Sequence, residues 1–62
     1  MTKAIFDSVE TKDAAGNTAD KEYVRLPDGT WKCLGFSNSV DDSTYEKAGL
    51  VFDDKLGWCW PN

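Results

Sequence analysis

Between residues 22 and 36 (EYVRLPDGTWKCLGF), two apolar-rich alternating runs flank Asp28-Gly29. An aspartate-glycine step between such runs is a strong short-range hairpin signal, and Pro27 presets the backbone angle before the turn. With Asp28-Gly29 as a two-residue loop, Leu26 pairs with Trp31, Arg25 with Lys32, Val24 with Cys33 and Tyr23 with Leu34. Alternation then places Leu26, Trp31, Val24 and Cys33 on one face, and Arg25, Lys32 and Thr30 on the other beside Tyr23 and Leu34.

The other elements are arranged around this hairpin. Residues 4–12 read as a first strand, with Ile5 and Val9 on one face and Ala4, Phe6 and Ser8 on the other. Residues 13–20 (DAAGNTAD) are small and polar with a Gly16-Asn17 turn signal, so they predict a loop joining two antiparallel strands. Gly35 marks a bulge or a close backbone approach, and residues 37–39 form a turn. Residues 41–48 predict a short helix, with Ser43 and Glu46 at capping-box spacing and Asp41 and Asp42 where the helix dipole favours acids. Gly49 stands at the left-handed C′ position, with Leu50 as its apolar partner. Tyr45 and Ala48 face inward; Glu46 and Lys47 face solvent. Residues 50–52 and 56–60 form a second hairpin around residues 53–55. Its returning strand shows Trp58 and Trp60 on one face and Cys59 on the other, and Pro61 halts further pairing. The expected fold is α+β: an antiparallel sheet of four to five strands, in the order β-β-β-α-β-β, covered by one short helix. A small all-β barrel is the alternative.

Length makes this a single domain, residues 1–62, near the lower limit for independent folding. Three tryptophans, three phenylalanines and two tyrosines supply most of the apolar surface, so the aromatics form the core first. An aromatic left outside that core marks a contact surface.

Charge narrows the partners. Eleven acids against seven bases give a net charge of −4, spread in pairs along the chain. That balance disfavours direct contact with nucleic acid or with an anionic membrane, and it permits a basic protein partner, including one that handles nucleic acid. The opening MTKAIFDSVETK carries no apolar stretch long enough for a signal peptide, and no segment spans a bilayer, so a cytoplasmic location is expected. Cys33 and Cys59 are expected as reduced, buried thiols; the alternative is a cross-strand disulfide, which requires Cys59 opposite Cys33 on one sheet face.

Candidate chemistry is sparse. Histidine is absent, which removes the commonest general base and metal ligand, and no nucleophile, phosphate-loop or dinucleotide motif occurs. Asp41-Asp42 and Asp53-Asp54 are candidates for calcium ligation or for an acid-base pair. Adjacent carboxylates diverge in a strand and at a helix start, so they read as cap and turn residues. No enzymatic activity, metal or cofactor is expected.

The informative set is Trp31, Trp58 and Trp60, with Asp28, Asp53 and Asp54 as an acidic rim. One short helix cannot easily cover three indoles, so at least one is expected at the surface, where tryptophan anchors interfaces. These six residues are the expected partner-binding site. The expected role is a non-enzymatic protein-binding module. Within that class the favoured form is a small acidic inhibitor occluding a basic site on a larger protein, as phage-encoded antagonists of host defence or transcription do. A structural or accessory subunit of a homo-oligomer or virion is the alternative. A precursor releasing a modified peptide from residues 57–62 is a minor one.

Overall fold

In a computed structural model that describes residues 1–61, the chain builds six short strands, one helix and a 3-10 turn. In order these are β1 (Thr2–Lys3), β2 (Phe6–Lys12), β3 (Thr18–Arg25), β4 (Trp31–Phe36), the 3-10 turn (Ser37–Ser39), α1 (Asp42–Lys47), β5 (Val51–Asp53) and β6 (Gly57–Trp60). They form two antiparallel three-stranded sheets, ordered β1-β6-β5 and β2-β3-β4. The α+β class, with antiparallel strands and one short helix, matches expectation. An additional strand, β1, precedes the expected first one, so four strands and not three come before the helix, and the ladder is divided into two sheets that do not close into a barrel. The division falls inside the expected first strand. Ala4 donates its N–H to the Trp58 carbonyl (3.0 Å), and the next residue, Ile5, accepts from Arg25 N (2.8 Å). One peptide step therefore carries the chain from one sheet to the other.

The central hairpin is shifted by one residue from the expected register. Leu26 N donates to Thr30 O (2.7 Å) and Gly29 N to Leu26 O (2.9 Å), which makes a three-residue loop, Pro27-Asp28-Gly29. Gly29 takes the left-handed angle, φ 92°, that such a loop requires after its type I turn. Arg25 now faces Trp31, Val24 faces Lys32 and Tyr23 faces Cys33. A one-residue slip moves side chains to the opposite face. Trp31 and Cys33 consequently join Tyr23 and Arg25 on the outer side, while Val24 points inward and is fully buried. A bulge restores the original count: Glu22 faces Gly35, and Leu34 is the extra residue. The cysteine expectation is corrected accordingly. Cys59 is buried as expected, Cys33 is exposed, and the two free thiols lie in different sheets.

Two further boundaries differ. The expected loop over residues 13–20 contracts to residues 13–17. There Asp13 N donates to Asn17 O and the Asp13 carboxylate accepts from the N–H groups of Ala15 and Asn17, each at 2.9 Å. The tight turn frees Thr18, Ala19 and Asp20 to extend β3 against β2. The helix cap is Asp41, with Thr44 as its partner, not the Ser43–Glu46 pair. Asp41 holds the extended conformation a cap needs, accepts from Thr44 N (3.2 Å), and donates its own N–H to the Thr44 hydroxyl (3.2 Å). The C-terminus ends as expected. Gly49 (φ 101°) donates to Glu46 O and Leu50 to Tyr45 O, a Schellman closure that delivers Leu50 into the core at 3% exposure.

That core is Ala4, Val24, Leu50 and Trp60, with Leu26, Leu34, Tyr45 and Trp58 packed against it. It sits where the two sheets and α1 meet. Trp60 reaches across the junction and donates its indole Nε1 to the Arg25 carbonyl (2.9 Å). The rest of the β2–β3 ribbon extends beyond it. The overall extents are 39 × 22 × 18 Å, and the radius of gyration is 12.4 Å. A sphere-like chain of this length would have about 10.6 Å.

Candidate binding groove between the helix and the second hairpin

A chain of ring contacts crosses the molecule beneath α1. Phe6 on β2 meets Tyr45 edge-on (centroids 5.5 Å), Tyr45 meets Trp58 (5.0 Å), and Trp58 meets Phe52 edge-on (5.5 Å). Each contact follows from a local rule. Tyr45 is the inward residue of a two-turn helix, and Phe52 and Trp58 are directly opposed cross-strand partners sharing a face. Phe6, at one end, is 40% exposed; the series passes the core at Tyr45 and Trp58 and reaches its outer end at Phe52, which is 61% exposed.

Its outer end forms one wall of an open groove of about 440 Å3, lined by Asp42, Glu46, Leu50, Val51, Phe52 and Trp58. Buried Leu50 is the apolar floor, and Phe52, Trp58 and Val51 are the walls. Asp42 and Glu46, four residues apart and therefore on one side of α1, supply the rim.

The structure distributes the six expected site residues as follows. Trp58 lines this groove, half-buried. Trp60 is committed to the core at 8% exposure. Trp31, 46% exposed, lies on the outer face of the other sheet, so an indole is at the surface but the three do not converge. The Asp28 carboxylate accepts from the Thr30 hydroxyl (2.6 Å) and Thr30 N (2.9 Å), and these bonds hold its pKa below the usual aspartate value. Asp53 accepts from Leu56 N (2.9 Å) and Lys55 N (2.8 Å), with the same downward effect. Both therefore fasten turns. Asp54 is exposed in the second hairpin turn, outside the groove lining. The acids that do rim the aromatic groove are Asp42 and Glu46, which sequence reading assigned to the helix dipole and to solvent. Their i, i+4 spacing on a helix followed directly by an apolar strand was the available signal.

A second, shallower hollow of about 240 Å3 lies on the outer face of β2-β3-β4, among Asp7, Val9, Tyr23 and Trp31. It exists because the register slip turned Trp31 outward. Among the described residues no group of three or more histidine, cysteine, aspartate or glutamate side chains could hold a metal ion, and no helix is long and apolar enough to cross a membrane.

Fold and groove together define a small α+β domain with an acid-rimmed aromatic surface. Comparison with protein-family models, curated proteins and solved structures finds no match to this chain.

Proposed function

We propose that this chain is a non-enzymatic protein-binding module, acting in the cytoplasm, that docks on a basic site of a larger protein and occludes it. The observation that carries this reading is the groove between α1 and β5, where exposed Phe52 and half-buried Trp58 stand under the carboxylates of Asp42 and Glu46. Aromatic anchors supply contact area, and rim charges steer association and select a partner of opposite sign. The net charge of −4 favours the same class of partner, including proteins that handle nucleic acid through a basic surface. A standard interface takes about 800 Å2 from each partner, less than a fifth of this chain's 4372 Å2. The inhibitory role rests on an analogy of size and charge with phage-encoded antagonists.

The test is comparative capture from the native source, using the wild-type chain, Phe52→Ala and the double variant Asp42→Lys/Glu46→Lys. The expected result is a basic protein retained by the wild type and depleted at least about tenfold on both variants, each with an unchanged circular dichroism spectrum. Capture indifferent to all three substitutions overturns the groove reading. Charge reversal at Asp53 and Asp54 should slow association less than reversal at the rim.

A second reading, self-association, is favoured by the other surface. Val9, Tyr23 and Trp31 form an exposed apolar hollow, and β2 beside it is an unpaired seven-residue edge without proline. Light scattering over a concentration series separates the two readings: a monomer at high concentration removes this one.

A further inference from the structure

We infer that the groove between α1 and β5 receives an arginine side chain from a basic segment of the partner. This rests on the docking reading above and names its chemistry. Three observations on the groove converge. First, the wall residue Phe52 is 61% exposed, and its ring meets Trp58 at a steep 72° between planes, so aromatic surface stays open at the mouth. Second, the rim holds carboxylates on only one side, the helix side, so a charge entering over the rings meets acids along one flank. Third, Glu46 is poorly placed for the helix itself. It lies in the last turn, where the dipole disfavours an anion, and it stands i+4 from Asp42, a like-charge pair that weakens a helix. Helix stability does not account for Glu46, whereas a cation between the two acids would offset both penalties.

Arginine fits this geometry better than lysine. Its guanidinium is flat, weakly hydrated and able to stack on a ring while its edge donates a fork of hydrogen bonds to a carboxylate. The ammonium of lysine is compact and strongly hydrated, and it can do only one of these at a time. The buried Leu50 floor accepts the methylene stem.

The test uses the full chain labelled with nitrogen-15 and two blocked pentapeptides, Gly-Ser-Arg-Ser-Gly and the same sequence with citrulline in place of arginine. Citrulline preserves the shape and removes the charge. The arginine peptide should give saturable shifts confined to residues 42–46, residues 50–52 and the Trp58 indole, with a dissociation constant on the order of millimolar. Neutralising the rim with Asp42→Asn and Glu46→Gln should weaken binding about three- to tenfold. Phe52→Ala, at an exposed position, should abolish the shifts without unfolding the chain. Equal binding of the citrulline peptide, shifts spread evenly over distant acids such as Asp13, or no saturation would each overturn the inference. If partner capture depends on the groove while the arginine peptide fails, docking stands and the guanidinium occupant falls. If capture ignores the groove, the docking reading itself has failed.

Discussion

Two parts of the same strand, β3, occupy different surroundings. Residues 21–25 are flanked by β2 on one side and β4 on the other, and Val24 among them is 0% exposed beneath Trp60 and Leu50. Residues 18–20 pair only with residues 10–12 of β2, because β4 ends at Phe36 opposite Lys21. No residue of that outer ribbon is buried. Antiparallel pairing runs through both parts, with a bulge in β4 opposite the inner one, yet only the inner part has an apolar layer over it. A two-stranded ribbon is marginal by itself in water, so the outer part keeps its shape because the inner part anchors it. The ladder sets geometry, and the junction of Ala4, Val24, Leu50 and Trp60 supplies stability.

The comparison breaks first at Trp60. Trp60→Ala should cost about 3–5 kcal/mol in urea unfolding, enough to unfold so small a chain. Trp60→Phe keeps the ring but leaves the Arg25 carbonyl without its indole donor, at a cost of about 1–3 kcal/mol. A milder loss from Trp60→Ala than from Trp60→Phe would mean that the junction is not the stabilising region.

Gly29→Ala and Gly16→Ala give the sharpest contrast. Both glycines have φ near +90° (92° and 84°); a Cβ at Gly16 meets nothing, and one at Gly29 meets only Arg25 Nη2 at 3.6 Å, an ordinary contact, so the backbone strain is similar, about 1–3 kcal/mol. At Gly29, beside the core, that cost should appear in the global urea midpoint. At Gly16 the ribbon tip can fray instead. The midpoint should then move little, while hydrogen exchange accelerates at Thr11, Lys12, Thr18 and Ala19. Equal midpoint losses would show that the chain unfolds as one unit to its tip.

Acid acts on the turns of the anchored region. The Ser43 hydroxyl and Thr44 N hold the Asp41 carboxylate below the ordinary value of 3.8, as Thr30 does for Asp28 and the Leu56 and Lys55 N–H groups do for Asp53. With folded pKa values below unfolded ones, their stabilisation is complete above the ordinary value and is lost as pH falls through the lowered ones. Urea midpoints should therefore hold at neutral pH and decline below about pH 4, and Asp41→Asn should flatten that decline. The smallest effect belongs to Val9→Thr on the outer face, where exposure is 52%: a change within about 0.5 kcal/mol.

Local rules made much of this legible. The turns at Asp13, Asp28 and Asp53, the helix with its Gly49 stop, and the shared face of Trp58 and Trp60 all follow from residues within a few positions of one another. The candidate site was legible only in kind. An aromatic set with an acidic rim was expected, and one exists, but Trp58 is the only expected residue in its lining. Asp-Gly suits both a two-residue and a three-residue loop, and the second was adopted, which turned Trp31 outward. Asp28 and Asp53 were unavailable as a rim because the nearest N–H groups claimed their carboxylates.

By itself the sequence determined the element types, the turn positions, the acidic charge and the aromatic character of whatever surface is left open. The tertiary structure decided which rings are buried, which acids face them, and where the chain changes sheets at Ala4-Ile5. The reason is the range of the forces involved. Turn and cap hydrogen bonds act between near neighbours, whereas burial is a contest among distant segments for the same space. Trp60 won that contest by reaching Arg25, thirty-five positions away along the chain.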